Sequence, residues 1–139
     1  MKHILIAYEE RPVSDRVLER AAEVAKAFGA RVTVTSVAPL MVGTTGRGVG
    51  PYDPADPPAR HEQETTDAVE RLAKLGVSDA EAAPLVGDAT DAIVDLARER
   101  KSDLLVIGAH EGGLLSRLTH WSIEDSLIHK APTDVLVVR

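Results

Sequence analysis

The chain has 139 residues, 44% of them hydrophobic and 27% charged, which is ordinary for one soluble globular domain, here expected to span residues 1–139. Its net charge of −6 argues against nucleic acid or an anionic membrane as the main partner, because both need a basic surface. The absence of cysteine excludes disulfide scaffolds, thiol catalysis and cysteine-ligated metals. The N-terminal apolar run is too short for a signal peptide and no segment could span a bilayer, so a cytoplasmic location is expected.

The first part of the chain predicts a strand, a helix and a second strand. The β-rich run HILIAY at residues 3–8 predicts a buried strand. Apolar residues then recur on one helical face from Val17 to Phe28, and Gly29 ends that helix. The alternating run RVTVTSV at residues 31–37 predicts the second strand.

Residues 39–58 predict a long irregular segment. They hold five of the eight prolines and four of the ten glycines, and no apolar period continues through them. Functional lids and disordered segments both have this composition, and we expect mobility from about Gly43 to Ala55. The run GTTGRGVG at residues 43–50 leads into prolines rather than a helix, which favours a flexible loop over a phosphate-binding loop.

Six further elements alternate between helix and strand. They are, in chain order, a helix at 59–75, a strand at 81–86, a helix at 90–100, a strand at 103–108, a helix at 120–130 and a strand at 133–138. Pro84 suggests an edge position for the third strand, because proline cannot donate to a ladder. Five strands alternating with four helices predict an α/β fold with a parallel sheet and helices on both faces.

Three stretches of the sequence resemble the universal stress protein family. They are ILIAY in the first strand, GDATDAIVDLA at the third helix, and DLLVIGAH…LSRL…S…IHKAPTDVLVV at the C-terminal end. The resemblance covers the whole chain, and the C-terminal block is its specific part. It implies an open doubly wound sheet of order 3-2-1-4-5 and a homodimer formed through the last strand.

Many members of that family bind ATP through the motif G-x2-G-x9-G-S/T. Glycines there let backbone N–H groups approach phosphate closely. In register with the motif, Gly108 is the first glycine and Ser122 the hydroxyl, whereas Glu111 and Trp121 replace the other two glycines. A carboxylate repels phosphate, and an indole fills the space that the phosphate needs, so the resemblance implies a degenerate nucleotide site.

The adenosine end of the family's site also differs here. Glu9 stands where the family has an aspartate near adenine, and Val37 matches a valine that lines the base pocket or simply belongs to the core. Gly112 or Gly113 could replace one missing glycine by a local shift, and a metal ion bridging Glu111 to phosphate would turn repulsion into attraction.

Two other groups of residues near this loop give weaker indications of function, one of a metal site and one of a nucleophile. His110, Glu111 and His120 could ligate a metal, but their spacing fits no known pattern, and solvated loop residues are favoured. Ser116 lacks the G-x-S-x-G context of a hydrolase, which favours a loop or helix-capping role for its hydroxyl.

Trp121 has two alternative roles. It either fills the empty pocket or a subunit interface, or it caps the core. We therefore expect no metal site and no catalytic residue.

Two functional hypotheses follow. In the first, the chain is a dimeric stress-response or regulatory protein that is not an enzyme, holds no cofactor and acts with an unidentified protein partner. In the alternative, it binds ATP and hydrolyses it slowly or phosphorylates itself at Ser122 or Ser116. A third possibility is another small ligand in the same crevice, since open parallel sheets bind ligands beyond the carboxyl ends of their strands.

Overall fold

A computed structural model describes residues 1–40, 52–109 and 123–139 of the chain. Most of the segment expected to be mobile, together with the loop that carries Glu111, Trp121 and Ser122, lies outside the described residues. The three described segments contain the predicted strands and most of the predicted helices, so the fold can be compared with expectation element by element.

Seven strands and four helices are present in the described residues. The strands are β1 (His3–Ala7), β2 (Arg31–Thr35), β3 (Val37–Ala38), β4 (Ala80–Ala82), β5 (Leu85–Val86), β6 (Leu104–Gly108) and β7 (Asp134–Val138). The helices are α1 (Ser14–Phe28), α2 (Pro58–Lys74), α3 (Ala89–Glu99) and α4 (Ile123–Lys130). None of these helices is long and apolar enough to cross a membrane.

The main sheet has five parallel strands in the order β4-β2-β1-β6-β7. Counted as the predicted strands, this is the order 3-2-1-4-5, so the expected doubly wound α/β fold is confirmed. Pro84 correctly predicted an edge position, because β4 is one of the two outer strands. The other outer strand is β7, whose free edge faces away from β6.

Both faces of the sheet are covered by helices. Along β1, Ile4 and Ile6 belong to a core cluster with α1 and α2, while Leu5 belongs to a second cluster with α3 and α4. This division follows from the strand period of two, which sends alternate side chains to opposite faces. The buried face of α1 ends before Phe28, whose side chain is 59% exposed, so the helical period overestimated the core by one residue.

The predicted second and third strands each break near their carboxyl ends. Ser36 separates β2 from β3, and Ala83 with Pro84 separates β4 from β5; the short strands β3 and β5 then pair in a separate parallel sheet. Pro84 has no N–H for the ladder, which accounts for the break in the third strand. The backbone carbonyl oxygen of Ser36 accepts a hydrogen bond from Leu85 N at 2.9 Å, so the two breaks lie side by side.

Candidate functional site

A cleft of about 810 Å³ opens at the carboxyl ends of the strands. Its described lining comes from the ends of β1, β2 and β6 and the residues after β1 and β2, from β3, and from the residues at the start of α2, α3 and α4. Open parallel sheets bind ligands in this position, because strand ends and helix N-termini meet there. The cleft is therefore the candidate functional site.

Three of the residues predicted from the sequence meet at this cleft. Glu9, Val37 and Gly108 all line it, although they come from three different parts of the chain. Ser122, together with Glu111 and Trp121, lies outside the described residues, as do His110, Ser116 and His120. In the part of the chain that the structure describes, no group of three or more histidine, aspartate or glutamate side chains is placed to hold a metal ion.

Carboxylates outnumber cations among the described residues that line the cleft. Among the described lining residues, four are acidic and Arg11 is the single permanent cation; the acidic ones are Glu9, Asp56, Asp88 and Glu124. Arg11 Nε lies 3.5 Å from Glu9 Oε2, so part of its charge is already balanced within the protein. The described lining thus favours an uncharged or cationic ligand over a polyphosphate.

The turn after β1 fixes the position of Glu9. The buried Ser14 side chain donates to the Glu9 carbonyl oxygen at 2.7 Å and accepts from Arg11 N at 2.5 Å. These two bonds hold the backbone from Glu9 to Ser14 in a compact turn, while the Glu9 side chain stays 65% exposed at the cleft. The backbone of Glu9 is therefore held beside the cleft, and its carboxylate lies on an exposed side chain there.

Tyr8 lies beside Glu9 on the same wall. Its hydroxyl accepts a hydrogen bond from Arg71 Nη1 at 2.8 Å, and Arg71 also pairs with Asp15 on α1. Burial raises the pKa of the Tyr8 phenol above its ordinary value, so the group stays neutral. Tyr8 therefore borders the cleft as an uncharged, almost fully buried side chain.

The N-terminus of α3 is occupied by the protein's own carboxylate. Asp88 is the N-cap residue, and its Oδ1 accepts a hydrogen bond from Asp91 N at 3.0 Å. Helix N-termini attract anions because their N–H groups are unpaired and the helix dipole is positive there. At α3 the Asp88 side chain accepts a hydrogen bond from one of these N–H groups, which leaves fewer unpaired N–H groups for a phosphate.

Gly108 has no room for a side chain. A Cβ atom there would lie 2.9 Å from Val13 Cγ1 and 3.2 Å from Val17 Cγ2, at the start of α1. The close packing of α1 against the end of β6 therefore requires glycine at this position whether or not a ligand binds nearby.

Sequence reasoning missed a group of buried polar side chains beside the cleft, where β2 ends and α2 begins. Ser36 Oγ lies 2.6 Å from His61 Nδ1, and His61 Nε2 lies 2.6 Å from Asp56 Oδ1. Ser36 Oγ is also 3.3 Å from Glu64 Oε2. Extending the apolar period of α2 back from Ala68 would have placed Glu64 and His61 on the buried face, which was the available signal.

Residues 1–139 match the model of the universal stress protein family. A universal stress protein of Thermus aquaticus is 30% identical over 138 residues, which is 99% of this chain and 98% of that protein. A universal stress protein of Mycobacterium tuberculosis is 38% identical over 72 residues, so the match spans about half of each, 52% of this chain and 49% of the relative.

A solved structure is also similar. It is the crystal structure of a universal stress protein in complex with cAMP, with a TM-score of 0.74 and 27% identity, covering 99% of this chain and 96% of that one. Fold and sequence therefore point to the same family over the full length of the chain.

Proposed function

Because the chain belongs to the universal stress protein family, we propose that it acts as a stress-response or regulatory protein, not as an enzyme, and that its cleft does not take ATP. The observation that carries this proposal is the acidic lining of the cleft, with four carboxylates and one arginine among the described residues. An unidentified protein partner and a cytoplasmic location remain part of the proposal.

The size of the electrostatic repulsion, compared with a typical binding free energy, favours exclusion of ATP. One carboxylate about 4 Å from a phosphate oxygen costs on the order of 1 kcal/mol in water and about 4 kcal/mol near a protein surface. A micromolar affinity amounts to roughly 8 kcal/mol, so two such carboxylates near a triphosphate would remove most of it. Asp88 at the α3 N-terminus is the described carboxylate that would act in this way, and Glu111, which replaces a motif glycine in the sequence, is the second.

We also propose that the protein is a homodimer through β7. This strand is one of the two outer strands of the sheet, and its residues Val135, Leu136 and Val137 are half-buried in the single chain. An apolar edge strand with unpaired backbone groups favours pairing with a second copy. A two-fold axis would place the two β7 strands antiparallel.

A second candidate function is the binding of a nucleotide with a low charge. The cleft is formed, its wall includes the apolar side chains of Val37, Ile93 and Ile107, and a 27% identical relative holds cAMP. Cyclic AMP carries far fewer negative charges than ATP, so the carboxylates would oppose it less.

Calorimetric titration of the purified protein separates these functions. We expect no binding of ATP with Mg²⁺ up to about 1 mM, where roughly 4 kcal/mol of affinity would still be detected. Micromolar ATP binding would overturn the proposal, and binding of cAMP alone would establish the second candidate. In that case Glu9→Gln with Asp88→Asn should tighten cAMP binding, whereas Asp95→Asn, an exposed change on the same helix, should leave it unchanged.

A further inference from the structure

Ser36, His61 and Asp56 form a hydrogen-bonded relay in the wall of the cleft. The imidazole of His61 joins the other two side chains, with 2.6 Å from Nδ1 to Ser36 Oγ and 2.6 Å from Nε2 to Asp56 Oδ1. All three residues line the cleft. We propose that Ser36 is an activated nucleophile that becomes acylated by an uncharged activated ester entering the cleft, a modification site that goes beyond the proposed function.

The protonation pattern of the relay follows from its donors and acceptors. An ionised Asp56 carboxylate can only accept, so the ring proton of a neutral His61 lies on Nε2. Nδ1 then has a free lone pair, and Ser36 donates its hydroxyl proton to it. An imidazole held in this tautomer can take the proton of an attacking serine, and Asp56 stabilises the imidazolium that results.

Glu64 competes for the same hydroxyl proton. Ser36 has one proton to donate, and the contact with His61 at 2.6 Å is much shorter than the contact with Glu64 Oε2 at 3.3 Å. Glu64 also accepts from Arg60 Nε at 3.1 Å, which balances its charge. The geometry therefore directs the Ser36 proton toward His61.

The charge of the cleft selects the class of electrophile. Ser36 and its neighbour Val37 share the cleft with four described carboxylates, which repel anionic acyl donors and phosphates. An ester with a neutral acyl group and a good leaving group meets no such barrier. The cleft volume of about 810 Å³ is large enough for a small molecule of that kind.

The chemical step balances within this set of groups. Ser36 Oγ attacks the ester carbonyl carbon while His61 Nδ1 takes the hydroxyl proton. The bond from the carbonyl carbon to the leaving oxygen then breaks, and the leaving group receives that proton from His61. The products are acyl-Ser36 and a free alcohol, with no oxidant, reductant or metal required.

The same hydrogen bonds also fasten the start of α2 to the end of β2, and that structural role needs no reactive serine. Reactivity separates the two roles. Ser78 provides an internal reference, because it is exposed whereas Ser36 is only 4% exposed. Exposure alone would make Ser78 the more reactive of the two serines, and activation by His61 reverses that order.

The test is labelling of the full chain with an uncharged short-chain fluorophosphonate, which forms a Ser36 Oγ–phosphorus bond and releases HF. Peptide mapping should place the adduct on Ser36 and not on Ser78, and prior treatment with p-nitrophenyl acetate should protect Ser36. His61→Gln should slow labelling by at least about 100-fold, the usual loss when a general base is removed. His129→Gln, a change at an exposed histidine on α4, should leave the labelling rate unchanged.

The thermal unfolding of each variant is measured alongside its labelling rate, to establish that the variant is folded. If His61→Gln unfolds the chain, Asp56→Asn provides the measurement, since its side chain is 33% exposed and the change preserves its shape. Slower labelling of a folded Asp56→Asn protein supports the relay. Absence of an adduct on wild-type Ser36, equal labelling of Ser78, or an unchanged rate in a folded His61 or Asp56 variant would each overturn it.

Discussion

Gly108 and Val13 are packed so closely that a Cβ atom on the glycine would lie 2.9 Å from the valine Cγ1. The first glycine of the nucleotide motif is therefore required by the contact between β6 and α1. This packing favours glycine at the position whether or not the chain binds a nucleotide. Its match to the motif accordingly says little about phosphate.

We expect Gly108→Ala to lower the free energy of unfolding by about 1–3 kcal/mol, the usual cost of an added methyl group in a packed core. The loss should shrink when Val13→Ala is introduced as well, because the clash is then relieved. Denaturant unfolding of the two single variants and the double variant measures this coupling. Strict additivity of the two changes would contradict the steric explanation.

The nucleotide motif itself yields a prediction on residues outside the described structure. Glu111→Gly alone should recover little ATP binding, because the indole remains, and Trp121→Gly alone should leave an anion facing phosphate. Only the double variant should bind measurably, with Glu9 still limiting the adenine end. Calorimetry measures all three, and the fluorescence of the only tryptophan reports on the wild type. A change of that fluorescence on titration with micromolar ATP would show that the motif is functional.

The dimer proposal can be tested on the edge strand. Val138 O accepts from Ala109 N, so by the alternation of a parallel ladder the Val137 N–H points away from β6. Val137→Pro removes this outward donor and should convert a dimer into a folded monomer in light scattering. Leu136→Pro, which removes a donor facing β6, should instead destabilise the fold. A wild-type monomer at micromolar concentration would end the proposal.

His3 makes stability depend on pH. Its Nε2 lies 2.8 Å from Thr33 Oγ1 and its Nδ1 2.9 Å from Ser102 Oγ, at the amino end of the central strand β1 and so away from the cleft. Burial lowers the pKa of His3 below 6.5, and Arg31 and Arg100 add to this, against the opposing effects of Glu81 and Asp103. The unfolded state therefore binds the proton more readily, and stability falls as the pH drops below 6.5.

We expect the denaturant midpoint of the wild type to decrease between pH 7.5 and pH 5, and His3→Gln to flatten this slope because glutamine does not titrate. His129→Gln is the matched control, since that histidine is exposed on α4. Equal slopes in the wild type and the His3 variant would exclude His3 as the source.

The sequence by itself determined the alternation of strands and helices, the buried fourth strand and the edge position of the third. These features depend on periods of two and 3.6 residues and on a single proline, all of which are local properties of the chain. The order of the sheet followed from the family pattern. The sequence also named Glu9, Val37 and Gly108, which the structure brings to one cleft.

Only the tertiary structure decided which side chains meet. Ser36 and His61 are 25 residues apart, separated by the irregular segment, and no periodicity links them. The contact between Gly108 and Val13 likewise depends on how α1 packs against β6. Such contacts form when distant segments are brought together by folding. The helical period of α2 can indicate that His61 is buried, but not which side chain it meets.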